Sequence, residues 1–585
     1  MIEYPPFAEQ WLFLALFVLI GLGLGGAFAF SESAAEPRHK LMASCALLVA
    51  IVVATAVNLL LYPQSYETFH ASALILTLGL SQVASLLYTS SAATAPTHTK
   101  LVVALTSIGS MTIALFFTSA ANSVELAAID QYTSLSQFTK LDTFFIPKNT
   151  NPTKSDSCDR EMFLRDAAKE RASVSAFIQR GQDAFAGMTP TKNVLLITVE
   201  SLRYDHTSLD EGREDGGPLR RWASRGVSFK RAYSPSPKTL TSISSYMALK
   251  HPHQLDILFD RTKHWLGQLS DNERTLAEVA SSDGRATFAA YHGRHIGEDI
   301  IGLEQGFDEL ARAHASSDDE KRDADEQTLA SATRFIDEHG SSDNGFFGWV
   351  FFVSPHRPYF LRGEDGVPKK SNNTAEAHIS EVTYSEGLVD RLLKHLEARG
   401  ALEDTMIVIT GDHGEATGEH KMYGHRSLYE HQIRVPFVVI HPSATPRTVA
   451  TPTQTLHALA WAMTTTKGGL GDHARQRLDG ELGLVAAALG SDVVLSETIS
   501  RTSSSATLIK AGAKVIWTAR HDASKFYALE KDPKESSGSA SPIDAGLTKA
   551  QHAELVSTLR SYINAHACQR TYRFGDVRGG DRLPD

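Results

Sequence analysis

The first 121 residues alternate long apolar runs with short polar connections. Residues 11–30 (WLFLALFVLIGLGLGGAFAF) carry no charge and are long enough to cross a bilayer as a helix. Residues 41–61, 71–90 and 101–121 repeat the pattern. One such run could be a buried helix of a soluble protein; four in succession predict a membrane domain over residues 1–122. The connection at 31–40 holds Arg38 and Lys40 and that at 91–100 holds Lys100, whereas 62–70 and the first ten residues have no Lys or Arg. The positive-inside rule puts 31–40 and 91–100 in the cytoplasm. The expectation is a multi-pass integral membrane protein whose later residues lie on the extracytoplasmic side.

From residue 123 to 190 the chain turns polar and partly helix-like, as a juxtamembrane connector would. A different pattern begins near Lys192. NVLLITVE (193–200), FFGWVFFVSPHRPY (346–359) and TMIVITGDHGE (405–415) are short, continuous apolar runs that end in polar residues. Such runs predict strands buried on both faces. Between them lie helical patterns, including 384–400, where Leu388, Leu392 and Leu396 share a face. Strands alternating with helices predict an α/β fold with a central, mostly parallel sheet.

Ligands of such sheets bind beyond the carboxyl ends of the strands. Those ends carry Glu200, His356 and the Asp412–His413 pair. Two carboxylates and an imidazole suit a divalent ion. A further stretch, YSPSPKTLTSISSYMALKHP (233–252), offers several hydroxyls ahead of a predicted helix with Ile243 and Met247 on one face. Thr239 would stand at or just before that helix, in N-cap position. There it would face free backbone N–H groups suited to an anion. Ser236, Thr241 and Ser242 compete with it on local sequence. The charge run DDEKRDADEQ (318–327) reads as a solvated loop and helix start.

Composition narrows this picture. Hydrophobic residues make up 42% of the 585, and the net charge is −10, with no basic stripe of the kind nucleic acid requires. Three cysteines are too few for a disulfide framework. Cys158 and Cys568 could pair only outside the cytoplasm.

These motifs, in this order, resemble the sulfatase branch of the alkaline phosphatase superfamily over most of residues 192–565. NVLLITVESLRYDH, RGVSFKRAYSPSPKTLTSISSYMALKHP, EQGFDEL (304–310), SPHRPY and ITGDHGEATGEHKMYGHRSLYEHQIRVPFVV (409–439) carry the resemblance, with KVIWTARHDASKFYALEKDPKE (514–535) as the closing strands. It implies a catalytic core over 191–445, a C-terminal part of the same domain over 446–568 and a polar tail over 569–585. It also implies Thr239 as nucleophile, Glu200, Thr239, Asp412 and His413 as ligands of one divalent metal (Mn, Zn, Mg or Ca), and His356 and His425 as substrate-facing catalytic histidines. The stretch departs from the sulfatase pattern, in which a Cys or Ser two residues before a Pro becomes formylglycine. No Cys lies near Thr239, and Ile243 occupies the place of the usual Arg. A threonine nucleophile is similar to that of the membrane-anchored phosphoglycerol and phosphoethanolamine transferases. The expected function is therefore a membrane-anchored hydrolase or transferase of phosphate esters, with a lipid bilayer and a lipid-linked or envelope-polymer substrate as partners. A sulfuric-ester hydrolase is the first alternative and a non-catalytic membrane scaffold the second.

Overall fold

Alternate residues of β1 (Asn193–Val199) enter two different cores. Val194 and Leu196 pack with Ile243, Tyr246 and Met247 on one side. Leu195, Ile197 and Val199 pack with Leu388, Leu392 and Leu396 on the other. All seven residues of the strand are buried, at about 1.5–3 kcal/mol for each large apolar side chain. This two-sided burial is why the run is continuous rather than alternating.

The computed structural model describes residues 167–575 apart from 214–215, 261–266, 293–299, 314–320, 363–367, 370, 372, 500–503, 519–522, 540, 543–544 and 569–572. The four predicted spans and Cys158 lie outside the described residues. No described helix is long and apolar enough to cross a membrane.

The central strands are β1, β2 (Val227–Phe229), β3 (Ala286–His292), β4 (Glu309–Ala313), β5 (Phe346–Phe352), β6 (Thr405–Gly411), β7 (Phe437–Ile440) and β8 (Arg447–Val449). They form an eight-stranded sheet in the order β8-β2-β7-β6-β1-β5-β3-β4. β1 runs parallel to both β5 and β6, and β3 runs parallel to β4 and β5. β7 is antiparallel to β6 and to β2. The sheet is thus mixed, with the predicted parallel centre.

Helices cover both faces. α1 (Ala167–Ala184) lies at the end of the predicted connector, yet its Phe177 is fully buried and meets His457 and Trp461 edge-on or tilted at 4.8 and 5.1 Å. α2 (Thr239–Ala248) sends Ile243 and Met247 into the first core. α3 (Lys321–His339) contains much of the charge run expected to be solvated, but its Asp325 is fully buried. It accepts the backbone N–H groups of Val353 and Ser354, both at 2.9 Å. From Lys321 onward the run is helical, with Asp325 turned inward. α4 (Thr374–Ala398) covers the second core.

The C-terminal part forms an antiparallel sheet of β9 (Val494–Thr498), β10 (Ser505–Lys510), β11 (Ala513–Thr518) and β12 (Ala523–Ala528). Leu555 and Leu559 of α5 (Lys549–Cys568) pack on it. Three bonds run from the end of β9 back to residues 234–238. Ser496 Oγ donates to the Ser234 carbonyl, the Glu497 N–H donates to the Pro235 carbonyl at 2.9 Å, and Lys238 Nζ donates to the Ile499 carbonyl at 3.0 Å. A buried ion pair on β11, Lys514 with Glu535, also involves Glu430.

Candidate active site

β1, β5 and β6 lie side by side and end together, so their next residues meet. The Glu200 N–H donates to the Phe352 carbonyl at 2.9 Å, and the Asp412 N–H donates to the Val199 carbonyl at 3.3 Å. Gly414 lets the chain turn just beyond. A Cβ there would stand 2.3 Å from the His431 carbonyl oxygen, so only glycine fits the close approach.

The structure brings Glu200, Asp412, His413 and Thr239 into one cluster. Glu200, Asp412 and His413 each offer a ligand atom within 4.8 Å of the other two. Thr239 Oγ1 donates to Glu200 Oε1 at 2.9 Å and lies 3.1 Å from His413 Nε2. Thr239 is the first residue of α2, and the N-cap is Lys238, which makes no side-chain cap bond. The expected capping role is therefore not what occupies the threonine; its oxygen points at the acids instead. Lys238 is half-buried, held by the Ile499 carbonyl. Burial, with Arg426 nearby, lowers its pKa to about 8.

The competing hydroxyls are engaged elsewhere. Thr241 Oγ1 donates to Ser236 Oγ at 2.5 Å. Ser242 Oγ donates to the Asp412 carbonyl at 2.5 Å. They brace the nucleophile segment, and Thr239 alone among the four meets Glu200 and His413.

His356 and His425 join the same centre, for a ring nitrogen of each comes within 4.8 Å of a Glu200 oxygen. The sequence shows a single ligand set, whereas the structure gathers this second group of candidate ligands on the same glutamate. His425 stacks on His413 with ring centroids 4.1 Å apart. Its Nδ1 donates to the Pro237 carbonyl at 3.1 Å, and His356 Nδ1 donates to the Arg357 carbonyl at 2.8 Å. Burial, followed by the charge of His413, pushes His425 well below the ordinary histidine pKa. A neutral His425 with Nδ1 so committed presents a lone pair at Nε2.

The electrostatics describe a buried site in which the carboxylates and His413 shift one another's protonation. Burial and then the Glu200 carboxylate push Asp412 up to about 8. Burial pulls His413 down, but the Asp412 and Glu200 carboxylates outweigh it and hold the imidazole up at about 9. Asp412 Oδ1 accepts the N–H groups of Ser201 and His413 at 3.0 and 2.7 Å, while the buried Oδ2 accepts no hydrogen bond among the described residues. An orphaned carboxylate oxygen, a second carboxylate and an imidazole nitrogen at this spacing fit a divalent cation, which would offset the repulsion that raises Asp412.

Three residues of the site wall have no role in the sequence reading: Ser201, Tyr359 and Glu415. Each lies within three positions of a predicted site residue, in ESL, HRPY and DHGE. That adjacency to strand ends was the available signal.

Residues 192–466 match the sulfatase family model, described simply as Sulfatase.

The matched region contains Glu200, Thr239, His356, Asp412, His413 and His425. An N-acetylglucosamine-6-O-sulfatase of Bacteroides thetaiotaomicron is 30% identical over 92 residues, 16% of this chain and 16% of that protein. An ulvan-active sulfatase of Formosa agariphila is 23% identical over 262 residues, 38% of this chain and 50% of that protein. The chain thus spans half or less of the length of these curated relatives. A solved structure of a sulfatase candidate from Bacteroides thetaiotaomicron superposes with a TM-score of 0.50 at 20% identity, covering 64% of this chain and 92% of the other. That likeness speaks for the sulfatase fold.

Proposed function

We propose that this chain is a metal-dependent hydrolase of anionic esters, with a sulfuric ester as the first substrate class and Thr239 as the nucleophile. The observation that carries it is the position of Thr239 Oγ1, between Glu200 Oε1 and His413 Nε2. The sulfatase domain and the curated sulfatase relatives support sulfate as the esterified group.

Glu200, Asp412 and His413, with Thr239 Oγ1, would hold the cation, which when bound supplies positive charge that favours the threonine alkoxide. The residues themselves do the rest. Glu200 Oε1 already accepts the hydroxyl hydrogen of Thr239 and marks the path by which that proton leaves. Thr239 Oγ1 attacks sulfur or phosphorus. The bond to the ester oxygen breaks, and that oxygen takes up a proton from His356 or His425. His425, held neutral by its burial, must first be protonated, which an anionic ester beside it favours. Water then attacks the sulfur or phosphorus of the threonine adduct and frees Oγ1.

A second reading is favoured by the nucleophile itself. A threonine Oγ is a single hydroxyl and its adduct is resolved only by attack at sulfur or phosphorus, a step open to phosphoryl groups and, with an acceptor alcohol in place of water, to transfer. Phosphate-ester hydrolysis or phosphoglycerol or phosphoethanolamine transfer is that reading. Both include the four predicted spans as a membrane anchor, an extracytoplasmic domain and a lipid-linked or envelope-polymer substrate, since anchoring raises the local concentration of such molecules.

Turnover of p-nitrophenyl sulfate, p-nitrophenyl phosphate and bis-p-nitrophenyl phosphate by the wild type and by Thr239→Ala tests the assignment. Preference for the sulfate supports the first reading and preference for either phosphate the second. Full activity in Thr239→Ala would remove the nucleophile from both.

A further inference from the structure

Glu415 lies two residues beyond His413 and is fully buried. Its two oxygens bind different loops. Oε2 accepts a hydrogen bond from Ser201 Oγ at 3.1 Å, and Oε1 accepts one from the Tyr359 hydroxyl. Ser201 follows Glu200 after β1, and Tyr359 stands three residues beyond His356 after β5. One carboxylate therefore joins the three strand ends that carry Glu200, His356 and the Asp412–His413 pair.

The backbone of Glu415 is itself fixed. Its N–H donates to the His431 carbonyl at 2.9 Å, and its carbonyl accepts from Arg203 Nη1 at 2.9 Å. Arg203 is buried and anchored by Asp205 and Glu419, each at 2.7 Å.

Ser201 is where these contacts converge. Its φ of +56° is left-handed, a conformation that non-glycine residues adopt only when neighbours impose it. Three bonds impose it. The N–H donates to Asp412 Oδ1 at 3.0 Å, the hydroxyl donates to Glu415, and the carbonyl accepts from His378 Nε2 at 3.1 Å. The first bond bears on the site directly. Together with the His413 N–H it occupies Oδ1 of Asp412, leaving Oδ2 turned to His413 Nε2 at 3.2 Å. If Ser201 relaxed, Oδ1 would be released and Asp412 could rotate away.

We propose that Glu415 is a positioning residue for the reaction, acting through Ser201 on the cation ligands and through Tyr359 on the loop of His356. The inference rests on the reading of the site as a cation-dependent hydrolytic centre. A carboxylate that only filled space would set stability; one that aims ligands sets cation affinity and kcat.

The test uses the full chain, with Mn2+ binding followed by calorimetry and steady-state kinetics on the preferred p-nitrophenyl ester. Partners just outside a metal's ligands typically change affinity or activity by about 10- to 100-fold. Glu415→Ala is expected to weaken Mn2+ binding and lower kcat within that range, with KM little changed. Glu415→Gln offers an oxygen to Tyr359 and an amide to Ser201, and is expected to restore both. Tyr359→Phe is expected to lower kcat and leave Mn2+ affinity as in the wild type. Should Glu415→Ala fail to fold, Ser201→Ala removes one contact only and is expected to weaken Mn2+ binding in the same direction. Wild-type Mn2+ affinity and kcat in Glu415→Ala or Ser201→Ala, or losses that merely track a lower melting temperature, would overturn the assignment. A wild type that binds no divalent cation would instead overturn the underlying reading of the site.

Discussion

His413 Nε2 lies 3.1 Å from Thr239 Oγ1, while the other nitrogen of the same ring donates to the Gly414 carbonyl at 2.8 Å. A carbonyl only accepts, so Nδ1 carries a proton and Nε2 is the nitrogen that faces the threonine. The nucleophile thus meets an imidazole nitrogen on one side and a carboxylate on the other.

Thr239→Ser keeps an oxygen in that position, whereas Thr239→Ala removes it. The serine variant is expected to turn over substrate measurably. The alanine variant, and His413→Gln, are expected to lose about 10²- to 10⁴-fold in kcat/KM. Initial rates under saturating Mn2+ check this; a serine variant as inactive as the alanine variant would be the contrary result.

Asp412 and Glu200 are buried side by side, so a bound divalent cation should stabilise the fold. At a concentration 100 times its Kd the gain is about 2.7 kcal/mol, read as a rise in melting temperature after chelation and re-addition of Mn2+. Asp412→Asn lowers the charge of the cation-free site. It is expected to melt no lower than the cation-free wild type and to gain nothing from Mn2+. An equal Mn2+ response in both proteins would contradict the ligand assignment.

Asp325 carries a pH signature. Burial raises its pKa to about 6, against the bonds from Ser354 and Val353 that lower it. A carboxyl raised on folding binds its proton more tightly in the native state, so its contribution to stability falls as pH rises from about 4 to about 6 and stays at its lowest above that. At about 1.4 kcal/mol per pKa unit the span is on the order of 3 kcal/mol. Asp325→Asn cannot ionise and is expected to flatten this part of the urea-denaturation profile between pH 4.5 and 7. An unchanged profile in the variant would show that another group titrates there.

Lys514, fully buried, pairs with Glu535 at 2.7 Å and Glu430 at 3.1 Å. Lys514→Met leaves the two carboxylates together without a cation. The expected cost is about 3–5 kcal/mol, measured by urea denaturation at pH 7. Lys514→Met combined with Glu535→Gln is expected to recover part of it, and a loss below 1 kcal/mol in the single variant would refute the pair's role.

The sheet strands were legible because β1, β5 and β6 are buried on both faces and so appear as unbroken apolar runs. Their ends were legible for the same reason: a run that stops at Glu200 or Asp412 announces where the buried strand gives way to a site. The choice among Ser236, Thr239, Thr241 and Ser242 was not legible locally. It depends on which hydroxyl meets Glu200 and which meet Ser236 or the Asp412 carbonyl. Glu415 was silent because its partners stand 214 and 56 residues away. Asp325 was misread because a helix in a charged run can turn a single acid inward, and no count of charges reveals which one.

The bonds from the end of β9 to residues 234–238 also set the order in which the site can be assembled during synthesis. A ribosome releases the nucleophile segment early, but Ile499, which holds Lys238 beside the nucleophile, follows it by 261 residues. Lys514 and Glu535 are made later still. A nascent chain that has already exposed Thr239 therefore carries it without these three braces, which can form only once synthesis has passed the closing strands.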